Sequence, residues 1–338
     1  MTTLQYETPT ASTASALLDW RVWLRRLGPL VVLIVVFVFF AANEPAKFLN
    51  PGNLRIMLME TAVVATAALG MTIIIISGGI DLSVGSNIAL VTVVVAQVRV
   101  AGGSPWAAAL AGIASATCIG LLTGGLITGL QLSPFIVTLG LWEGVRGLAK
   151  EVGRGSTVVP HQASWLNLLL VHPTGNLAWM VLPPGVWITL ILAVFVASLL
   201  RYTKFGRHVF AVGSNDQTAR LCGINVGGTK VLLYTVAGIF VGVAGVLQFS
   251  YLTEGDPTTA VGMELYVIAA VVIGGASLSG GEGSVFGSLV GALFMTVIDN
   301  GCAKMGLPNH RQEMITGAII IIAAAIDRLR HAQVTRGA

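Results

Sequence analysis

The sequence predicts an all-α polytopic membrane protein, on the evidence of its composition and of the length and pattern of its apolar runs. Hydrophobic residues make up 55% of the 338 residues and charged residues only 10%, whereas an ordinary soluble domain has about 25% charged residues. The apolar residues extend along nearly the whole chain and form continuous runs, without the alternation that is typical of barrel strands. We therefore expect about ten transmembrane helices, some of them interrupted by glycine.

Ten segments have the length and hydropathy of a bilayer crossing. They lie at 28–42, 61–77, 84–101, 106–132, 133–149, 179–200, 229–250, 265–280, 283–299 and 313–326. The order of these segments along the chain predicts a cytoplasmic amino-terminal tail at 1–27, a transmembrane domain at 28–326 and a cytoplasmic tail at 327–338. Within the domain, 150–178 is an outer loop and 201–230 a cytoplasmic loop. Lysine and arginine are modestly enriched on the cytoplasmic side of this arrangement, as the positive-inside rule requires.

The remaining composition indicates neither nucleic-acid binding nor a metal site. The net charge of +4 comes from basic residues beside apolar runs, where they orient helices. Cys118, Cys222 and Cys302 are odd in number and far apart, which does not suggest a disulfide framework or a set of metal ligands. In the outer loop, His161 and His172 are not paired as ligands, and the apolar cluster around Trp165 predicts a segment that lies along the membrane surface.

The stretch SGGIDLSVGS at 77–86 places a carboxylate between two apolar runs. In hydrocarbon every backbone polar group must be satisfied internally, so an interrupted helix persists only where protein or water lines the break. An ionisable Asp81 at that depth costs roughly 2.5 kcal/mol or more and marks a functional position by default. The alternative is a surface loop in which Asp81 caps the next helix. The functional interpretation selects Ser77, Gly78, Gly79, Asp81, Ser83, Gly85 and Asn87.

A second break, VVIGGASLSGGEGSVFGS at 271–288, repeats the order of apolar run, glycine pair, serine-containing turn and glycine. Transporters often contain such repeats, with binding sites at paired broken helices. Gly274, Gly275 and Ser277 are the candidate residues here. The ten-span count places both breaks on the same side of the membrane, so either the repeats run parallel or the count is wrong.

The cytoplasmic loop contains the third informative stretch. A short helix is predicted from Asp216 to Cys222, since Ser214 and Asn215 are good caps and Gly223 is a good stop. A small, polar and basic helix in this position suits docking of a soluble partner. The alternative is a basic loop that only obeys the positive-inside rule.

Two of these motifs resemble those of one protein family. GGIDLSVG at 78–85 is similar to the signature of the permease subunits of ribose-type ABC sugar importers, and N-x-x-x-A-R-x-x-G-I at 215–224 is similar to their coupling region. The resemblance extends from about residue 48 to 326. It implies a type II-like ABC importer permease in the bacterial cytoplasmic membrane. Glycine flexibility and a buried carboxylate then suggest that the residues of the two breaks lie beside the translocation pathway. Coupling to the ATPase would involve Gly213, Asn215, Ala219, Arg220, Gly223 and Ile224.

The resemblance also implies several partners. These are ABC ATPase subunits that hydrolyse ATP, a periplasmic or lipoprotein sugar-binding protein, and a second permease copy or a paralogue. The chain itself has no P-loop, because GINVGGTK carries Thr229 and Lys230 in reversed order, and it has neither H-E-x-x-H nor G-x-S-x-G. We expect a transport subunit that is not an enzyme and that binds no cofactor of its own.

A secondary transporter driven by an ion or proton gradient is the alternative function. It would use Asp81, Glu143, Glu282 or Asp299 as ion sites. Glu143 and Arg146 are spaced i,i+3 on a predicted helix, where they could instead neutralise each other. An intramembrane enzyme would need a catalytic constellation that the sequence does not show.

Overall fold

The computed structural model describes residues 20–171 and 180–336, and in these residues the chain is built of helices without a strand. One isolated bridge joins Val158 and Gly255. The helices are α1 (Trp20–Asn43), α2 (Pro45–Phe48), α3 (Pro51–Ile76), α4 (Val84–Val100), α5 (Pro105–Gly129), α6 (Pro134–Val152), α7 (Pro184–Tyr202), α8 (Lys204–Ser214), α9 (Asp216–Leu221), α10 (Val226–Leu252), α11 (Met263–Ile273), α12 (Val285–Lys304) and α13 (Asn309–Arg336). A 3₁₀ turn, Trp165–Leu168, precedes α7. The predicted all-α class is confirmed.

Each of the ten predicted spans overlaps a helix. Among the described residues, α3, α5, α7, α10 and α12 are long and apolar enough to cross a bilayer, and Gly28–Asn43, α4 and α11 are shorter apolar segments. α6 carries four charged side chains, which lowers its hydropathy. α1 begins at Trp20, within the predicted tail 1–27, and α13 continues through most of the predicted tail 327–338.

The predicted span at 265–280 is wrong in its length and its end. Its helix, α11, has 11 residues and ends at Ile273. At 1.5 Å per residue it is about 16 Å long, roughly half the thickness of the hydrocarbon core. Gly274 and Gly275 follow it, and Gly275 has a φ of 94° that ends the helical path.

Local sequence explains where most helices begin. Asn50, Ser104 and Asn225 precede α3, α5 and α10, and each side chain accepts a hydrogen bond from a backbone N–H of the first turn. Proline stands at the first position of α3, α5, α6 and α7, where its missing N–H is not needed. These signals fix helix ends before any packing is considered.

Small residues bring the central helices close together. α10 packs along α5 and α3, and a methyl group added at Gly238 would lie 2.7 Å from the carbonyl oxygen of Ala116. The same group at Gly242 would lie 2.7 Å from Cα of Ile113. The hydrophobic effect contributes little to the association of helices in lipid, so the van der Waals contacts made by this close backbone approach hold the helices together. The outward faces of α1 and α7 remain apolar, with Val35, Ile191 and Val194 all more than half exposed.

We call the end of the bundle that carries α9 the inner end and the opposite end, which carries residues 150–171, the outer end. The described part of the outer loop packs onto the bundle rather than forming a separate surface helix. Leu166 is fully buried, and the N–H of Leu170 donates to Oγ of Ser250 at 3.0 Å. His161 is exposed, whereas His172 lies outside the described residues.

Candidate translocation and coupling sites

The first break holds Asp81 in a fixed local geometry. Gly78, with a φ of 78°, follows the end of α3, and α4 begins at Val84. Asp81 is only 6% exposed, and its Oδ1 accepts hydrogen bonds from the N–H and the hydroxyl of Ser83 at 2.8 and 2.6 Å. Asp81 therefore holds the residue that precedes α4, but it does not cap α4 as the alternative from the sequence proposed, because Ser83 is the N-cap and no side chain caps the helix there.

This break lies inside the bundle and not at its surface. The hydroxyl of Tyr234 donates to the carbonyl oxygen of Ile80 at 3.3 Å, and the backbone of Tyr234 packs against Gly120. Tyr234 is eight residues into α10, and Gly120 is nine residues before the end of α5. At 1.5 Å per residue, the break is about 12 Å from the inner ends of both helices.

The other residues selected from this stretch are mostly buried. Ser77, Gly79, Ser83, Gly85 and Asn87 are buried, whereas Gly78 is exposed. Gly85 leaves no room for a side chain, because an added methyl group would meet the carbonyl oxygen of Ala260 and Oε2 of Glu264. Asn87 is 2% exposed, and its Oδ1 has no hydrogen-bond partner among the described residues. A buried amide oxygen of this kind normally has a partner.

The second break lies directly against the first. Gly274 packs backbone to backbone on Gly287, and Ser277 is 1% exposed. The N–H of Gly281 donates to the carbonyl oxygen of Ile76, the last residue of α3, at 2.8 Å. Both breaks are therefore at the same side of the bundle, as the span count predicted. α3 and α11 enter their breaks side by side, so any repeat relationship between them is parallel.

The predicted short helix in the cytoplasmic loop is present as α9. Its N-cap is Asn215, whose side chain accepts a hydrogen bond from the N–H of Thr218 at 2.8 Å, whereas Ser214 ends the preceding helix. Gly223 has a φ of 83° after the helix, and the N–H of Ile224 donates to the carbonyl oxygen of Ala219 at 3.0 Å. The cap and the stop are those that the sequence predicted.

α9 has one buried side and one exposed side. Ala219 is 3% exposed and packs with Val212 and Val226, whereas Arg220 and Gly223 are exposed and Leu221 is 89% exposed. Beside α9 is a groove of about 580 Å³ that is formed with the inner ends of α5 and α6. Arg220 and Lys230 line it, and the ammonium group of Lys230 is paired with Oδ2 of Asp216 at 2.6 Å, so Arg220 gives the groove its basic character.

Gly213 has a different position from the other candidate coupling residues. It lies in α8, where an added methyl group would overlap the carbonyl oxygen of Ile76 and lie 2.8 Å from the nitrogen of Gly281. We call this three-segment contact of Ile76, Gly213 and Gly281 the glycine junction. Sequence analysis missed α8, although Phe205, Val209 and Val212 have helical spacing. The junction connects the loop that carries α9 to both breaks.

The pairing of Glu143 with Arg146, which the sequence offered as an alternative, is not formed. Glu143 is exposed, and no ion pair joins the two side chains in the described part of the chain. Arg146 is 6% exposed and donates to the carbonyl oxygens of Pro257 and Thr259 at 2.9 and 2.6 Å. Buried Glu264 lies close enough to interact electrostatically with Arg146. Helical spacing alone could not show that Arg146 faces a segment 111 residues away.

The comparisons with known proteins place the chain in a transport family. Residues 53–324 match the family model described as branched-chain amino acid transport system / permease component. Ribose import permease protein RbsC of Escherichia coli is 33% identical over 311 residues, which cover 91% of this chain and 95% of the relative. RbsC of Bacillus subtilis is 35% identical over 91% of this chain and 94% of the relative.

A third relative, the L-arabinose ABC transporter permease protein AraH of Azospirillum brasilense, is 33% identical over 96% of this chain and 94% of its own length. All of these proteins are transport permeases, so the comparisons support neither an ion-coupled carrier nor an intramembrane enzyme. The resemblance that the two motifs indicated is confirmed over nearly the whole chain. The chain belongs to the family of permease components of ABC transport systems.

Proposed function

We propose that this chain is the membrane-spanning permease of an ABC importer that carries a sugar or sugar-like solute across the bacterial cytoplasmic membrane. The observation that carries the proposal is the similarity to ribose and arabinose permeases along more than nine-tenths of the chain. The helical architecture supports it, since five helices have the length and composition of membrane spans. The alternative solute is a branched-chain amino acid, which the description of the family model names.

We further propose that the solute passes beside the two breaks. Burial of the polar groups of Asp81, Ser83 and Asn87 inside the bundle supports this, because polar side chains at that depth are rare without a functional reason. The contact between the breaks at the glycine junction also supports it. The pathway residues are Ser77, Gly78, Gly79, Asp81, Ser83, Gly85, Asn87, Gly274, Gly275 and Ser277.

We propose that a separate ATPase subunit hydrolyses ATP and docks on α9 and the adjacent basic groove. The exposed side of α9 supports this, because Arg220 and Leu221 both face outward there and are accessible to a partner. Asn215, Ala219, Arg220, Gly223 and Ile224 form the docking helix and its caps. Gly213 would transmit movement of the docking helix to the breaks, because it touches Ile76 and Gly281 there.

The proposed complex has further parts. A second copy of this chain or a paralogue completes the permease, and a periplasmic or lipoprotein sugar-binding protein delivers the solute at the outer end. Both termini are cytoplasmic in this arrangement, because α9 and the basic 201–230 loop then lie on the side where lysine and arginine are enriched. No nucleic acid takes part.

The test is transport by the complex purified from its native membrane with its partner subunits and reconstituted into proteoliposomes. We expect ATP-dependent uptake of ribose, arabinose or a related sugar without an ion gradient. Uptake of leucine or isoleucine in preference to every sugar would establish the alternative solute. Uptake that needs a sodium or proton gradient and no ATP would refute the ABC importer.

Docking has its own test, because the exposed native Cys222 stands at the end of α9. A thiol crosslinker on the permease with Cys118 changed to serine should capture the ATPase subunit through Cys222. The matched control is Cys118→Ser together with Cys222→Ser, which should capture nothing. Equal capture by both proteins would remove α9 from the docking surface.

A further inference from the structure

A cavity of about 300 Å³ lies at the outer half of the bundle, away from both breaks. It is formed by α3, α10, α12 and the residues around the start of α11. Its polar lining consists of Glu60, Gln248, Tyr251, Tyr266, Thr296 and Asp299. Glu60 is nine residues from the outer end of α3, which places the cavity within about 15 Å of the outer surface. None of these residues belongs to the pathway described above.

The cavity contains two pairs of a phenol and a carboxylate. The hydroxyl of Tyr251 donates to Oε1 of Glu60 at 3.0 Å, and the hydroxyl of Tyr266 donates to Oδ1 of Asp299 at 3.1 Å. A carboxylate accepts up to about four hydrogen bonds, so each pair retains acceptor positions for a bound molecule. Gln248 adds an amide, and the tyrosine rings and Val63 and Val64 add apolar surface.

The lining selects for a particular chemistry. The lining itself contains two carboxylates and no lysine or arginine among the described residues, and Lys304, which interacts electrostatically with Glu60, lies outside the lining, so the α-carboxylate of an amino acid would meet a net negative surface there. Carboxylates and an amide instead accept hydrogen bonds from hydroxyl groups, and aromatic rings cover the apolar faces of a small solute. The volume is at the lower end of the roughly 300–1,000 Å³ that is usual for small-molecule sites.

The floor of the cavity separates it from the first break. Ala260, with a φ of 57°, lines the cavity, while its carbonyl oxygen packs against Gly85. Gly85 therefore lies directly behind the floor, on the side of the first break. The side chain of Arg146 holds this floor through the carbonyl oxygens of Pro257 and Thr259.

We propose that this outer cavity is the first binding site in the permease for a neutral, hydroxyl-rich solute of monosaccharide size. The proposal rests on the proposed function and deepens it, because it assigns the solute class to groups in this chain. Glu60, Tyr251, Tyr266 and Asp299 hold the hydroxyl groups of the solute. The solute then crosses the floor at Ala260 to reach the first break.

The test compares Glu60→Gln and Asp299→Asn with Glu151→Gln, a matched change of an exposed carboxylate outside the cavity. In the reconstituted complex with saturating binding protein, we expect sugar uptake to fall about threefold to tenfold in each cavity variant, because a neutral amide oxygen still accepts a hydrogen bond but a weaker one than a carboxylate does. Basal ATP hydrolysis, normalised to assembled complex, should stay within about twofold. Glu151→Gln should transport normally.

A labelling experiment tests the site without changing its polar groups. Val261 lines the cavity and is 69% exposed, and Val181 is 75% exposed outside it. In a background without Cys118 and Cys222, a bulky maleimide on Val261→Cys should block uptake, and the transported sugar should slow the labelling. The same reagent on Val181→Cys should do neither.

The outcomes separate the two proposals. If the unmodified complex shows no ATP-dependent sugar uptake, the proposed function fails. If it transports sugar while both carboxylate variants transport normally and the labelled Val261→Cys remains active, the outer cavity is not a solute site. Preferential loss of leucine uptake in the cavity variants would overturn the assignment to a neutral solute.

Discussion

Replacing Gly213 with alanine tests whether α8 packs directly on both breaks. In an open helical position this change stabilises a helix by about 1 kcal/mol. At Gly213 the added methyl group would overlap the carbonyl oxygen of Ile76 and lie 2.8 Å from the nitrogen of Gly281. Those two atoms are joined by a hydrogen bond of 2.8 Å. The methyl group therefore meets both atoms of a hydrogen bond that joins the two breaks.

The magnitude follows from the kind of atom that must move. The neighbours are backbone atoms, which cannot rotate away, so α8 must shift by about the radius of a methyl group. Overpacking of this kind costs about 1–3 kcal/mol, and leaving the Gly281 N–H or the Ile76 carbonyl without a partner costs about 1–3 kcal/mol more. After the gain in helix propensity, the net destabilisation should be about 1–5 kcal/mol.

The assay is thermal unfolding of the purified permease in detergent, followed by uptake and ATP hydrolysis in the assembled complex. The control is Gly125→Ala on α5, where an added methyl group has no neighbour within 4 Å. We expect a lower midpoint of unfolding for Gly213→Ala and an unchanged or higher one for Gly125→Ala. Uptake by Gly213→Ala should fall more than ATP hydrolysis, since α9 would be displaced relative to the breaks. Equal behaviour of the two variants would refute the glycine junction.

Three further predictions concern other contacts. Asp81→Asn should leave assembly unchanged, because Oδ1 of the asparagine can still accept from Ser83, but it should lower uptake. Near-normal uptake per assembled complex would remove Asp81 from the pathway. Arg146→Met should increase amide hydrogen exchange in 255–262, since it removes two hydrogen bonds to that segment, whereas Lys150→Met at an exposed position of the same helix should not. Gly223→Glu should lower the free energy of unfolding by about 1–2 kcal/mol, because φ is positive at this position. The permease should still insert, but ATP hydrolysis should be uncoupled from uptake. Unchanged uptake would remove Gly223 from the coupling region.

The sequence predicted what depends on neighbouring residues. The helix at α9 was predicted because Asn215 caps it and Gly223 stops it within eight residues. Both breaks were predicted because glycine and serine interrupt otherwise apolar runs. Such signals are complete within one stretch of chain, and tertiary packing only had to preserve them.

Contacts between distant segments could not be predicted in this way. Helical spacing only allowed Arg146 to pair with Glu143, and its actual partners are two carbonyl groups of an irregular segment, which the amino-acid types of that segment do not reveal. Gly213 was grouped with the coupling residues by resemblance, and only the fold shows that it touches Ile76. The outer cavity combines residues from 60 to 299, so its carboxylates appeared in the sequence as isolated charges.

The floor of the outer cavity has a consequence for the speed of transport. Residues 257–262 are held over the first break by the two hydrogen bonds from Arg146 and by one from Gln248 to Thr259 at 3.1 Å. Three side-chain bonds of this kind are a small barrier, and loop motions occur in nanoseconds to microseconds, whereas collective helix motions take microseconds to milliseconds. We therefore expect the floor at Ala260 to open faster than α8 rearranges against the breaks, so that changes at the glycine junction slow turnover more than changes at the floor.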